Sequence, residues 1–130
     1  SKNLNSGILD GIPDPKDKLK WLSKNNLYSM LNDFQVSGFS GSLNRYRAQE
    51  IDWLELKELN ELLVDPPSLF IGGEFDPVRR FIKDYDAYKN PGRYCSDFRG
   101  SFIIKDSGHW VQQEKPHEVN SIIKEFLEQL

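Results

Sequence analysis

The sequence predicts an α/β fold with a helical segment in front and a parallel sheet too small to stand by itself. Three observations carry this. Two short apolar runs, Ser68-Leu69-Phe70-Ile71 and Ser101-Phe102-Ile103-Ile104, are each closed by turn residues, Gly72-Gly73 and Asp106-Ser107-Gly108. Runs of this kind read as parallel strands buried on both faces. After the second run, Val119, Ile122, Ile123, Phe126, Leu127 and Leu130 keep helical spacing. Before Pro66-Pro67 the apolar residues follow helical periodicity alone.

Taken in order, Gly7-Ile8-Leu9-Asp10-Gly11-Ile12-Pro13-Asp14-Pro15 is turn chemistry and reads as loop. Ser23 is an expected N-cap, followed by Leu27, Met30, Leu31 and Phe34 at i, i+3, i+4, i+7, one apolar helical face. Ser37-Gly38 stops that helix. Further helical stretches are expected over residues 43–51 and 56–63. The first strand follows Pro66-Pro67. A polar helix or loop holding Tyr85, Tyr88 and Pro91 then crosses to the second strand. Pro116 sits where a helix's first turn tolerates it and opens the last helix.

Strand, crossover, strand, helix is the grammar of a parallel sheet. Such strands need cover on both faces and neighbours at both edges, which two strands and four helices do not supply. The missing partners are expected in a preceding segment or another chain, and Ser1 in place of an initiating Met agrees with a chain that continues upstream.

Composition narrows the function. The 130 residues amount to one domain at most. With 38% hydrophobic and 12% aromatic residues the chain reads as globular rather than disordered. A formal charge of −3 suggests neither nucleic acid nor an anionic membrane as partner, and no apolar run is long enough to span a bilayer. Cys95 is the single cysteine, which excludes an internal disulfide and a thiolate metal cluster. A cytoplasmic, reducing location is the natural expectation. No metal or other cofactor is expected.

In open parallel sheets, functional side chains gather past the C-terminal ends of the strands. Asp76 follows the first strand in Ile71-Gly72-Gly73-Glu74-Phe75-Asp76-Pro77, and His109 follows the second in Ile104-Lys105-Asp106-Ser107-Gly108-His109-Trp110. Taken singly, each has an ordinary reading: an Asp after a strand is commonly a turn residue or helix cap, and Gly-His is common in loops. With adjacent strands, however, the two loops emerge side by side. An Asp that reaches a His selects its tautomer and stabilises the imidazolium.

The segment Gly108-His109-Trp110-Val111-Gln112-Gln113-Glu114-Lys115-Pro116-His117-Glu118-Val119-Asn120 closely resembles the histidine motif of the epoxide-hydrolase branch of the α/β-hydrolases. Leu69-Phe70-Ile71-Gly72-Gly73-Glu74-Phe75-Asp76-Pro77-Val78 resembles its acid loop. Ser37-Gly38-Phe39-Ser40-Gly41-Ser42-Leu43-Asn44-Arg45-Tyr46-Arg47 resembles the part of its helical cap that contributes a tyrosine, and Lys20-Trp21-Leu22-Ser23 the start of a cap helix. The resemblance covers nearly the whole chain, in order. It implies the C-terminal part of an α/β-hydrolase: a cap (lid) segment over residues 1–64, then over residues 65–130 the last two parallel strands of the core with their helices.

The resemblance also implies roles. Asp76 would orient His109, His109 would be the base that activates water, and Tyr46 would donate a hydrogen bond to the epoxide oxygen as alkoxide charge develops. Trp110 and Phe39 are expected to line the substrate pocket. Trp21 and Trp53 are expected in the core or pocket wall, and His117 in solvent. The implied activity is hydrolysis of a small hydrophobic epoxide to a diol through an alkyl-enzyme ester. Two other readings stand beside it: a dehalogenase or esterase on the same fold, and a non-catalytic remnant or binding protein.

The chain departs from the family in three ways. Arg45 stands where an aromatic residue is usual, and a polar insertion lies around residues 83–90. The N-terminal half, with the nucleophilic Asp, the oxyanion loop and a second cap tyrosine, is absent from the sequence. The isolated chain is therefore expected to show no turnover and marginal stability. Gly38-Phe39-Ser40-Gly41-Ser42 has the spacing of a nucleophile elbow, but an elbow needs a strand before it, and a helical face precedes Ser40.

Overall fold

The structure, a computed structural model, describes residues 10–14 and 19–130, with Asn60 described by its backbone alone. Of the expected opening loop, Asp10 to Asp14 lie among these, with a turn at Asp10-Gly11 and Gly11 at φ +81°; Gly7, Ile8, Leu9 and Pro15 lie outside the described residues.

The front of the chain is helical, as its periodicity requires. Helix α1 spans Lys24–Ser37, and its Ser23 cap accepts a hydrogen bond from the Asn26 N–H at 3.1 Å, meeting one of the donors a helix start leaves open. It stops at Gly38, whose φ of +64° suits a residue without Cβ. Helices α2 (Ser40–Arg47) and α3 (Gln49–Glu55) follow, then a 3₁₀ turn over Lys57–Glu61. The expected helix over residues 43–51 is thus two helices with a break at Ala48, and the stretch over 56–63 is a shorter 3₁₀ turn.

The expected apolar face of α1 exists as a stripe but is not covered. Leu27, Met30 and Leu31 are exposed and Phe34 half-buried. Trp53 and Trp110 are exposed, so neither is a core residue here, and Trp21 is half-buried. Amphipathic spacing reports which face would be buried, and only a neighbour buries it.

The sheet consists, among the described residues, of strands β1 (Ser68–Gly73) and β2 (Phe98–Ile104), paired in parallel from Leu69 opposite Gly100 to Gly73 opposite Ile104. Strand β2 begins three residues earlier than its apolar run. The register shifts between Ser68 and Leu69, skipping Arg99, and Gly100 takes up the distortion at φ +151°. Burial on both faces, expected of both strands, is not found: Phe102 and Ile103 each remain 39% exposed.

Beyond β2 lie α4 (Val111–Glu114) and α5 (Pro116–Leu127). The short α4 was not legible as a separate element. Pro116 explains the break, since its ring disfavours helical backbone at the preceding residue, and Lys115 sits at φ −134°, ψ 55°. The core is small. Ile104, Val111 and Val119 are buried, with Ile71 and Ile122 packed against them. This core ties the C-terminal end of β2 to both closing helices, and so fixes the loop that carries His109.

Candidate active site

Asp76 and His109 leave the same end of the sheet and meet. Asp76 Oδ2 lies 2.8 Å from His109 Nδ1. The Asp76 side chain is 3% exposed and that of His109 52%. The ordinary reading of Asp76 is also correct. It caps the 3₁₀ turn Pro77–Arg80, its Oδ1 accepting the Val78 N–H at 2.8 Å. One carboxylate caps a turn with one oxygen and holds the imidazole with the other.

The two loops are stitched together by their backbones. The Glu74 N–H donates to the Ile104 carbonyl at 2.9 Å and the Phe75 N–H to the Ser107 carbonyl at 2.8 Å. Glu74 returns across the gap, Oε2 accepting the Asp106 N–H at 3.1 Å. Asp106 bends the chain at φ +52°, and buried Ser107 donates its hydroxyl to the Ile104 carbonyl at 2.9 Å. Glu114, on α4, accepts the Gly108 N–H at 2.9 Å. The approach is close enough to require glycine at position 73, where a Cβ would stand 2.0 Å from the Gly108 carbonyl oxygen.

A third side chain reaches the carboxylate, and sequence reasoning missed it. Tyr88, inside the polar insertion, donates its hydroxyl to Asp76 Oδ2. The insertion was legible, but nothing in its spacing says which of its residues turns inward. Burial pushes the Asp76 carboxyl up. The Tyr88, His109 and Val78 hydrogen bonds and the imidazole's charge outweigh that and hold it below the usual carboxylate value. Burial, then the hydrogen bond to Asp76, pushes the Tyr88 phenol up, so it stays protonated and donates.

An ionised carboxylate only accepts hydrogen bonds, so the proton shared with Asp76 Oδ2 sits on His109 Nδ1. The lone pair is then on Nε2, the atom that can take a proton from water. The Trp110 ring stands edge-on to the imidazole, centroids 5.4 Å apart.

Tyr46 and Phe39 are not brought to the pair in this way. Tyr46 lies on α2, 66% exposed, and among the described residues its hydroxyl makes no hydrogen bond. Phe39 precedes α2 and stacks on Phe34 at 4.5 Å, and is itself mostly exposed. Ser40 opens α2 directly after α1 and Gly38, so a helix and not a strand leads into it, and the elbow-like spacing there is not an elbow. Among the described residues no three His, Cys, Asp or Glu side chains gather as metal ligands, and no helix is long and apolar enough to cross a membrane.

No family model matches the chain. Curated proteins and solved structures do. Epoxide hydrolase A of Mycobacterium tuberculosis is 36% identical over 122 residues, 93% of this chain and 36% of that protein. The crystal structure of epoxide hydrolase A from Mycobacterium thermoresistibile superposes with a TM-score of 0.77 at 32% identity, over 89% of this chain and 35% of that one. Epoxide hydrolase I of potato (Solanum tuberosum) does so with a TM-score of 0.77 at 31% identity, over 85% and 35%. The chain spans about a third of the length of these relatives.

Proposed function

We propose, on the premise that the chain is the C-terminal part of an epoxide-hydrolase-like α/β-hydrolase, that the protein carrying it opens epoxides to diols with His109 as the hydrolytic base. The observation that carries this reading is the 2.8 Å contact of Asp76 Oδ2 with His109 Nδ1, which directs the free imidazole nitrogen outward as a base.

The remaining parts of the reaction lie in the rest of the fold. A carboxylate nucleophile from the segment outside this chain would attack an epoxide carbon, forming an alkyl ester as the C–O bond breaks. Tyr46, whose hydroxyl makes no hydrogen bond among the described residues, would hydrogen-bond to the epoxide oxygen and pass it its proton, leaving that oxygen on the neighbouring carbon as a hydroxyl; the proton His109 later takes from water restores the phenol. His109 Nε2 would then take a proton from water as the water oxygen attacks the ester carbonyl. Collapse of that adduct releases the diol and regenerates the carboxylate. Asp76 holds the imidazolium in between.

Residues 1–64 would act as the cap and 65–130 as part of the core. Phe39 and Trp110, both exposed, would face a small hydrophobic epoxide. The exposed Phe102 and Ile103 of β2 accord with a sheet that continues into that other segment. Cys95, the single cysteine and a free thiol, suits a cytoplasmic protein.

The test is single-turnover kinetics of the full-length protein with an aromatic epoxide, comparing the unmutated protein with His109→Gln. The unmutated protein releases diol. The variant consumes one equivalent of epoxide and stalls as a covalent ester visible by intact mass. A variant that releases diol at the unmutated rate would remove His109 from the mechanism.

A further inference from the structure

We propose that Tyr88 is a positioning residue for the acid–base pair, its phenol fixing Asp76 Oδ2 against His109 Nδ1. The inference deepens the reading above and rests on it for the meaning of the pair, but not for the geometry.

Asp76 Oδ2 has two lone pairs and two donors, the His109 Nδ1–H and the Tyr88 hydroxyl; Oδ1 is engaged by the Val78 N–H. Without the phenol, rotation of the carboxylate about Cβ–Cγ is opposed only by the imidazole it is supposed to orient and by one backbone donor. With it, the carboxylate is fixed from both sides before His109 is considered. A half-exposed imidazole is thereby held by a carboxylate that does not move with it.

The insertion is anchored as such a device requires. Arg79 forms a two-pronged ion pair with Asp86, 2.7 Å from Nη2 to Oδ2 and 3.3 Å from Nε to Oδ1, and its Nη1 donates to the Glu74 carbonyl at 3.3 Å. Asp86 Oδ1 accepts the Tyr88 N–H at 2.9 Å, and the Ala87 N–H donates to the Arg79 carbonyl at 3.0 Å. The Tyr88 ring stands edge-on to Phe70 at 4.7 Å, with the Arg79 guanidinium 5.4 Å from its centroid. Its place is left open by Gly72, where a Cβ would lie 2.5 Å from Tyr88 Cε2. The charged groups facing the phenol are therefore Asp76, Arg79 and Asp86, with His109 on the far side of the shared carboxylate oxygen. The ring contacts to Phe70, Arg79 and Gly72 together with the bond to Asp76 fix the Tyr88 side chain, and the ion pair and backbone bonds fix the loop that carries it.

Tyr88→Phe removes the hydroxyl and keeps the ring. In the full-length protein, labelled Asp76 is titrated by ¹³C NMR in the unmutated form and the variant, and the His109 Nδ1–H proton is observed in both. A donor to a carboxylate favours its charged form and lowers its titration. The Asp76 midpoint should therefore rise, with the His109 Nδ1–H resonance shifted and exchanging faster with water. A packing role alone predicts that Phe leaves both unchanged, and that result would overturn the proposal.

As a check requiring no substitution, the Tyr88 hydroxyl proton of the unmutated protein should be slow to exchange and show a cross-relaxation peak to the His109 Nδ1–H; its absence would equally overturn the proposal. None of these readouts depends on an epoxide. A protein that passes them and ignores epoxides retains the positioning role and loses only the substrate assignment.

Discussion

Replacing Gly73 with alanine tests how closely the two site loops are held. The added Cβ would meet backbone on three sides: the Gly108 oxygen at 2.0 Å, the Ser107 oxygen at 2.7 Å and the Gly108 carbonyl carbon at 2.8 Å. Since real Cβ contacts essentially never fall under 3.0 Å, the Gly108 carbonyl must withdraw by at least 1.0 Å, the difference between 3.0 and 2.0. His109 is the next residue, and its contact to Asp76 is 2.8 Å. A withdrawal of that size takes the pair beyond the roughly 3.2 Å limit of a good hydrogen bond. It also pulls on the Phe75–Ser107 bond, 2.8 Å long.

Overpacking costs about 1–3 kcal/mol, and a hydrogen bond to a charged group about 1.5–3 kcal/mol, less here because the imidazole is half in solvent. A loss of about 2–4 kcal/mol is therefore expected. Urea unfolding of the full-length protein measures it, with Gly41→Ala as the control. Gly41 lies within α2 with open space around it, so alanine there should be neutral or stabilise by about 0.5–1 kcal/mol. Diol formation should fall roughly 10²-fold for Gly73→Ala, the usual consequence of a 1 Å misplacement. An unchanged unfolding midpoint with the His109 Nδ1–H resonance intact would refute the steric reasoning.

The other predictions concern Asp76, Tyr46 and the first helix. The folded-state titration of Asp76 is lowered, so its contribution to stability is full above the unfolded carboxylate value of about 3.9. It is lost as pH falls through the lower folded value. Asp76→Asn lacks this contribution at every pH, so its acid unfolding, monitored by circular dichroism, should begin at higher pH than that of the unmutated protein. Tyr46→Phe should slow ester formation roughly 10²-fold while leaving hydrolysis of the preformed ester unchanged, read by rapid-quench kinetics; equal slowing of both steps would argue for a structural role. Ser23→Ala removes the hydroxyl that caps α1 and should cost about 1 kcal/mol, measured as a lower unfolding midpoint without change in diol formation.

The chemistry of the pair was readable because it is carried by short sequence distances. Asp76 and His109 each follow an apolar run by a few residues, and parallel pairing of those runs places the loops side by side. The same locality made the cap of α1 at Ser23 and its stop at Gly38 legible. The break between α4 and α5 also has a local cause in Pro116, although helical periodicity alone passed over it.

What the chain's own order determined, then, is the set of elements and the two loops that carry chemistry, because helical and strand periodicities and turn residues act over a few neighbours. What tertiary structure decided is which surfaces are covered and which side chains meet. The α1 stripe and Trp53 stay exposed because burial requires a second surface, which periodicity cannot supply. Tyr88 reaches Asp76, 12 positions back along the chain, because Arg79 and Asp86 fold the insertion back and Gly72 leaves room for its ring. Such contacts depend on the three-dimensional path of the chain, and no local pattern encodes that path.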